Sequence, residues 1–448
     1  MKALVFERNL ARFAASRVAS SLVGSGKGIS IGPLRLTELE APALPGPGWH
    51  RVRPRLAGIC GSDLATLDGR SSRYFEDLVS FPFVPGHEIV GTVKESFAGN
   101  GATTRTALPP GTRVVVESVI GCIPRGIDPP CPACATGRIG GCERVAFGHI
   151  SPGLQIGYCT DTGGGWSTAG LVAHETQLHA VPDELSDEDA VMVEPTACAV
   201  HAATRAEVNP GDTVAVLGAG TLGLTTVAAL RSLTEPGAIF VGAKHTHQRR
   251  LAEELGADAA LPPAQLGRAV RRQSRSLAVS EHSHQLTGGA DVVVDCVGNP
   301  ESLTEALSIV RPRGRVVLGG MPGNVRVDLA SLWHREVTLT SAYAYGTEEV
   351  SGSSRRTFDL AMEMVASCRL GRLVSARYPL DRFEEAVAHA GTAGRRGAVK
   401  VVFDLGPERG ASSAERTARA TRTAHDVPTA TTSHDAGTSH DAQSGSTP

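Results

Sequence analysis

The chain lacks an excess of charge of either sign: 44 Lys and Arg face 46 Asp and Glu over 448 residues. That balance does not suit a general nucleic-acid binder or a ligand for anionic membranes. It also lacks a long apolar run, and none approaches the roughly 20 residues that a membrane helix needs. The opening MKALVFERNL has no extended apolar core, and Glu7 and Arg8 interrupt it. It reads as a first β-strand rather than an export signal. These absences point to a cytoplasmic enzyme or binding protein. Cysteine is not scarce: nine are present, and four of them fall between Cys122 and Cys142. In a reducing compartment such clusters are more often metal ligands than disulfides.

The length suits two or three domains. Up to about Asp183 the chain is rich in Gly, Pro and short β-branched runs such as RVVVES and EIVGTVKES. That texture predicts a turn-rich β domain. SDEDAVMVEPTACAVHAATRA has helical spacing, with Ser186 placed to cap it. From Asp212, DTVAVLGAGTLGLTTVAALRSL reads as an apolar strand, a glycine turn and an apolar helix. AIFVGAK, DVVVDCVG and RVVLGG continue the alternation, which predicts a parallel, doubly wound sheet. The fold class is therefore α/β, a β-rich domain joined to a doubly wound one. Ala11–Ile31 is expected to add a surface helix and loop. After Leu405 the composition turns to Ser, Thr, Ala, Gly, His and Asp, with TSHDA occurring twice. Residues 406–448 are expected to form a disordered tail.

The glycine turn carries the first chemistry. Gly218, Gly220 and Gly223 stand in G-x-G-x-x-G spacing between a strand and a helix, with Ala219, Thr221 and Leu222 completing the turn. Gly218 permits the bend, Gly220 lets the backbone approach a pyrophosphate, and Gly223 allows close helix–strand packing. Val297, between Asp295 and Gly298 in DVVVDCVG, is expected beside the same cofactor. In NAD enzymes the second strand ends in an acid that binds the ribose 2′-hydroxyl. Here that strand runs AIFVGAKHTHQRR, with Gly242 or Ala243 at the expected place. Lys244, His245 and Arg249 follow and could meet a 2′-phosphate. NADP(H) is therefore preferred over NAD(H).

Two constellations suit metal. In CIPRGIDPPCPACATGRIGGC, Cys122, Cys131, Cys134 and Cys142 can close a tetrahedron around a structural zinc. The alternatives are a disulfide pair, or three ligands with Cys122 as a bystander. The second set is Cys60 in GICGSDL, His87 in PGHEIVG and Glu194 in MVEPTACAVHA. One thiolate, one imidazole and one carboxylate would leave a fourth zinc position open for substrate oxygen, as a catalytic zinc requires.

GICGSD, PGHEIVG, the four-cysteine loop, VEPTACAVHA, GAGTLG and DVVVDCVG occur in one order. Over Met1 to Leu405 the chain resembles the zinc-containing medium-chain alcohol and polyol dehydrogenases, sorbitol and threonine dehydrogenases among them. The resemblance implies a groES-like catalytic domain over 1–189 and 343–405, split around a Rossmann domain at 190–342. It implies a homodimer or homotetramer. It makes Cys60, His87 and Glu194 the catalytic zinc ligands, with Glu194 in the polyol branch's place and Cys198 one turn further on. Glu88 resembles an acid behind the metal. Asp63 would accept the other ring N–H of His87, and Ser62 would take the alcohol proton. Two positions depart from the family: Ala65 replaces a relay histidine, and IPRGIDPP lengthens the first cysteine spacing.

The implied activity is reversible hydride transfer between an alcohol, secondary or polyol, and NADP+, with no nucleic-acid or membrane partner. The alternatives are a zinc-free quinone or enoyl reductase of the same superfamily, and a nucleotide-binding regulator without catalysis. Pocket walls are expected from Leu64–Tyr74, Ile150–Trp166, Met321 and Tyr343–Tyr345.

Overall fold

The computed structural model describes residues 1–97, 108–279 and 285–406. In the strand Trp49–Gly58, Val52 points in, Arg53 out, Pro54 in, Arg55 out and Leu56 in. This is the period of a sheet with one solvated face. The strand is central to a seven-stranded sheet, in the order Val374–Pro379, Lys400–Asp404, Trp49–Gly58, Ile89–Ser96, Arg113–Val116, Leu178–Ala180. Leu171–His174 also pairs with Trp49–Gly58. Segments more than three hundred residues apart thus share one sheet, with Val402 opposite Gly58.

The second sheet has six strands, all parallel: Ala259–Leu261, Ala238–Gly242, Thr213–Leu217, Ala290–Asp295, Val310–Leu318 and Thr338–Ser341 in spatial order. The first of these in the chain, Thr213–Leu217, lies third, and every residue in it is buried. Helices cover both faces, so its sequence is continuously apolar rather than alternating. The winding reverses between Thr213–Leu217 and Ala290–Asp295. Ligands of doubly wound sheets bind at that switch point, beyond the strand ends.

Helix Val193–Arg205 joins the two sheets. Its buried face shares one core with Leu56, Val90 and Val115 of the first sheet and with Val214 and Val216 of the second. The sequence suggested one helix from Ser186 onward. The structure has two, Asp187–Val191 and Val193–Arg205, separated at Met192. Pro195 explains the break: it offers no N–H, and its ring would clash with the carbonyl four residues earlier. Ser186 caps the first piece, accepting from the Asp189 N–H at 3.0 Å.

The expected extra helix is present as Leu10–Val23, capped by Asn9. Its buried Ser16 donates to the Leu67 carbonyl at 2.5 Å, at the end of the short helix Gly61–Leu67. From residue 407 on, the expected tail lies outside the described residues. Among those described, no helix is long and apolar enough to cross a membrane.

Candidate active site

Cys60 lies two residues beyond the first sheet's central strand, Trp49–Gly58, and is the N-cap of helix Gly61–Leu67. Asp63, at the third helical position, accepts the Cys60 N–H through Oδ2 at 2.9 Å. This local turn presents Asp63 Oδ1 to His87, whose Nδ1 is 3.5 Å away. The imidazole therefore turns its other nitrogen, Nε2, toward Ser62, 3.5 Å from Oγ. Burial works against charge on His87, but Asp63 and Cys60 together hold it above the ordinary imidazole range.

Glu194 heads helix Val193–Arg205 and is buried. Burial pushes its carboxyl up to about 7; His87 and Lys400 oppose that rise, and Glu88 adds to it. Cys198, one turn on, donates to Glu194 Oε1 at 3.8 Å. So Cys198 does face the same way, but as a thiol behind the carboxylate; burial pushes it well above its usual range. Among the described residues, Cys60, His87 and Glu194 do not form a group with all ligand atoms within 4.8 Å; the four loop cysteines do. The trio still fits zinc by its chemistry: a sulfur, an imidazole nitrogen directed away from its carboxylate, and a buried carboxyl.

At the second site the fit is geometric. Zinc–sulfur bonds of about 2.3 Å put tetrahedral sulfurs about 3.8 Å apart. Cys122 Sγ and Cys142 Sγ are 3.7 Å apart, so Cys122 is a member of the cluster despite the long spacing. Backbone N–H groups of Cys122, Cys131 and Arg144 donate to Cys134, Cys122 and Cys142 sulfurs at 3.5, 3.3 and 3.4 Å. Such donors favour thiolate. Burial opposes it, pushing Cys134 above its usual range and Cys142 up to about 11, whereas at Cys131 the N–H groups of Cys134 and Glu143 outweigh burial and bring the thiol down to about 6.

On the nucleotide side, Gly218 has φ +90, and a side chain there would meet Val297 at 2.6 Å. At Gly223 a Cβ would run into the Gly218 carbonyl, whereas at Gly220 it would project into open space. That opening at the start of helix Thr221–Leu233 is where a pyrophosphate would approach. Ala219 is buried, Thr221 and Leu222 are half-buried, and Val297 is exposed. Asp295 Oδ1 accepts from Val297 and Gly298 N–H groups at 2.9 and 3.1 Å, shaping the facing turn. Lys244 is exposed and His245 half-buried. Arg249 folds back on the loop, donating to the Ala243 and Lys244 carbonyls at 3.1 Å each.

Two family models match: the alcohol dehydrogenase GroES-like domain over residues 46–183 and the zinc-binding dehydrogenase over residues 221–366. The chain belongs to the zinc-containing medium-chain alcohol and polyol dehydrogenases. Sorbitol dehydrogenase of Arabidopsis thaliana is 29% identical over 84% of this chain and 94% of the relative. L-idonate 5-dehydrogenase of Vitis vinifera is 28% identical over 84% and 93%. The solved alcohol dehydrogenase from Thermus sp. ATN1 superposes with TM-score 0.64, at 26% identity over 90% and 99% of the chains. A dehydrogenase from Sinorhizobium meliloti 1021, described as zinc-binding and bound to NADP, gives 0.62 at 25% over 83% and 95%.

The structure adds Lys400 to the sequence-derived site of this medium-chain dehydrogenase, and gives partners to Tyr158 and Tyr345 of the expected pocket walls. Lys400 Nζ reaches both Glu88 oxygens at 2.6 Å, with both side chains buried. Glu88 is thus an acid with a cation of its own. The sequence signal was there: a lysine inside the apolar run AVKVVFDL needs a partner. Tyr158 Oη donates to Asp63 Oδ1 at 3.2 Å, and Tyr345 Oη accepts the Ser118 N–H at 2.9 Å beside Glu194. Both tyrosines lie in segments expected as pocket wall, but nothing local announces their partners Asp63 and Ser118. Trp166, expected in the pocket wall, is instead core: its Nε1 donates to the Gly58 carbonyl at 3.0 Å and its ring packs edge-on against Phe403. An indole whose N–H finds a backbone acceptor can be fully buried.

Proposed function

We propose that this chain reversibly transfers a hydride between an alcohol, secondary or polyol in class, and NADP+. The observation that carries the reading is the setting of His87, with Nδ1 toward Asp63, Nε2 toward Ser62, and Glu194 buried beside it. Cys60, His87 through Nε2, and Glu194 would hold the catalytic zinc, and Cys122, Cys131, Cys134 and Cys142 the structural one. At the first site zinc supplies a Lewis acid that acidifies an alcohol and stabilises charge developing on its oxygen. The chain's residues do the rest. Asp63, 3.5 Å away, would accept a hydrogen bond from the Nδ1–H of His87 and so leave the Nε2 lone pair available. Ser62 Oγ would accept the alcohol proton while handing its own hydroxyl proton on to water. Lys400 neutralises Glu88, which would otherwise add a second carboxylate charge next to Glu194. The turn Gly218–Gly223 seats the pyrophosphate and thereby orients the nicotinamide ring that accepts the hydride.

Preference for NADP+ is supported by Gly242 and Ala243 at the strand end, where no carboxylate stands. Burial, with His247, Lys244, Arg395 and Arg249 nearby, holds His245 below its ordinary range. A 2′-phosphate would neutralise that cluster. Substrate class is supported by Glu194 and by relatives named for sorbitol and L-idonate. A second copy of the chain is the proposed partner. Thr338–Ser341 is an edge strand of the parallel sheet, and exposed Leu339 and Trp333 lie on or near it.

The test is an absorbance screen with NADPH and NADH in parallel over alcohols, polyols, aldehydes and ketones. Cys60→Ala and His87→Ala should abolish turnover and leave NADPH binding intact. Equal or better rates with NADH would overturn the cofactor preference. Undiminished turnover by a zinc-stripped Cys60→Ala variant would overturn the mechanism.

A further inference from the structure

Arg125 lies in IPRGIDPP, the stretch that lengthens the first cysteine spacing. It is fully buried. Its hydrogen bonds go to carbonyls alone: Nε to Ile120 at 3.3 Å, Nη1 to Phe147, Ile150 and Ser151 at 3.1, 3.4 and 3.2 Å, and Nη2 to Gly153 at 2.5 Å. Among the described residues no carboxylate forms a salt bridge with it. A buried guanidinium without a counter-charge is costly.

The four-cysteine cluster can supply that charge. Four thiolates around a divalent ion keep a net charge of about −2. The Arg125 N–H also donates to the Cys122 carbonyl at 3.1 Å, which ties the two together through one turn.

On its far side Arg125 lies against the segment that leads to Tyr158. The His149 N–H donates to the Arg125 carbonyl at 3.2 Å. Gly148, at φ +102, presses against Arg125 so closely that a Cβ would meet its carbonyl oxygen at 2.5 Å. Beyond this wrap, Ser151 N–H donates to Asp161 at 2.6 Å and Ile156 N–H to Ser118 at 2.8 Å. Two residues later comes Tyr158, whose hydroxyl holds Asp63.

We propose that Arg125 is a positioning residue that couples the metal-loaded four-cysteine loop to segment 147–158, which ends at the Asp63-bound Tyr158. The cluster neutralises the guanidinium, and the guanidinium gathers the carbonyls of the turn that leads to Tyr158. The inference rests on the four cysteines holding zinc.

The experiment uses the zinc-loaded full chain and its Arg125→Met and Arg125→Lys variants. One readout is the rate of zinc release to a chromogenic chelator, assigned to the loop by comparison with Cys134→Ser. The other is deuterium exchange in peptides spanning 147–158. Loss of a residue that supports a metal site typically costs about 10- to 100-fold in retention. Arg125→Met should release loop zinc at least about tenfold faster and speed exchange at 147–158 by a similar factor. Arg125→Lys keeps the charge but not the fork, so zinc retention should recover more than the exchange does. A change in only one readout, or in neither, overturns the coupling. If Arg125→Met does not fold, unchanged exchange in Arg125→Lys overturns it alone. A Cys134→Ser variant with the wild-type zinc content would instead sink the metal-site reading on which the proposal rests.

Discussion

Replacing Lys400 by Met should destabilise this protein through the charge left behind. Lys400 Nζ sits 2.6 Å from each Glu88 oxygen, and the side chains are 2% and 1% exposed. With an effective dielectric of about 20, attraction at that separation is about 6 kcal/mol. Desolvation of the two ions cancels most of it, so the intact pair contributes little net stability. Removing one partner is different. Glu88 would stay buried near Glu194 without its cation, and uncompensated charges of this kind cost about 3–5 kcal/mol. The double variant Glu88→Gln/Lys400→Met buries no charge, so it should recover most of that loss. The assay is a double-mutant cycle of urea midpoints at saturating zinc. A single-variant cost under about 1 kcal/mol, or a double variant as costly as the summed singles, would refute the argument.

Cys134→Ser should lower bound zinc from about two ions per chain to one and reduce the urea midpoint, because metal binding at a closed site is folding energy; atomic absorption counts the ions. Gly223→Ala puts a methyl against the Gly218 carbonyl. It should weaken NADPH binding by about tenfold or more, seen by fluorescence titration, and leave the zinc content at its wild-type value. Burial, with His50 and His149 nearby, lowers His174 to about 4. The unfolded chain therefore takes up a proton near pH 6.5 that the folded form refuses until about 4, and stability falls as pH drops through that window. The full shift is worth about 3 kcal/mol, and partial exposure reduces it to roughly 1–2 kcal/mol. His174→Gln should flatten the loss of urea midpoint between pH 7 and 5; an unchanged slope would refute the assignment.

The parts of the site that were legible in the sequence share one property: each sits in a short segment whose local geometry sets its role. Gly218, Gly220 and Gly223 follow an apolar strand within six residues, and the structure turns there as the spacing requires. Cys60, Ser62 and Asp63 occupy one helix start, where Asp63 must lie near the Cys60 N–H because the third helical position always does. Even the long cysteine spacing closes, since eight intervening residues add little closure entropy.

What was hidden is what pairs across the chain. Lys400 is 312 positions from Glu88, and Tyr345 is 227 from Ser118. No periodicity or motif connects such residues; for Lys400 the sheet does, by setting Lys400–Asp404 beside Trp49–Gly58. Glu194 shows both sides of the matter. Its identity was readable from VEPTACAVHA, but its environment follows from a helix that shares one core with both sheets. Moving that helix by one turn, about 5.4 Å, would present Cys198 in place of Glu194. The apolar residues that fix its register, Ala197, Val200 and Ala203 among them, therefore decide which of the two side chains stands next to His87.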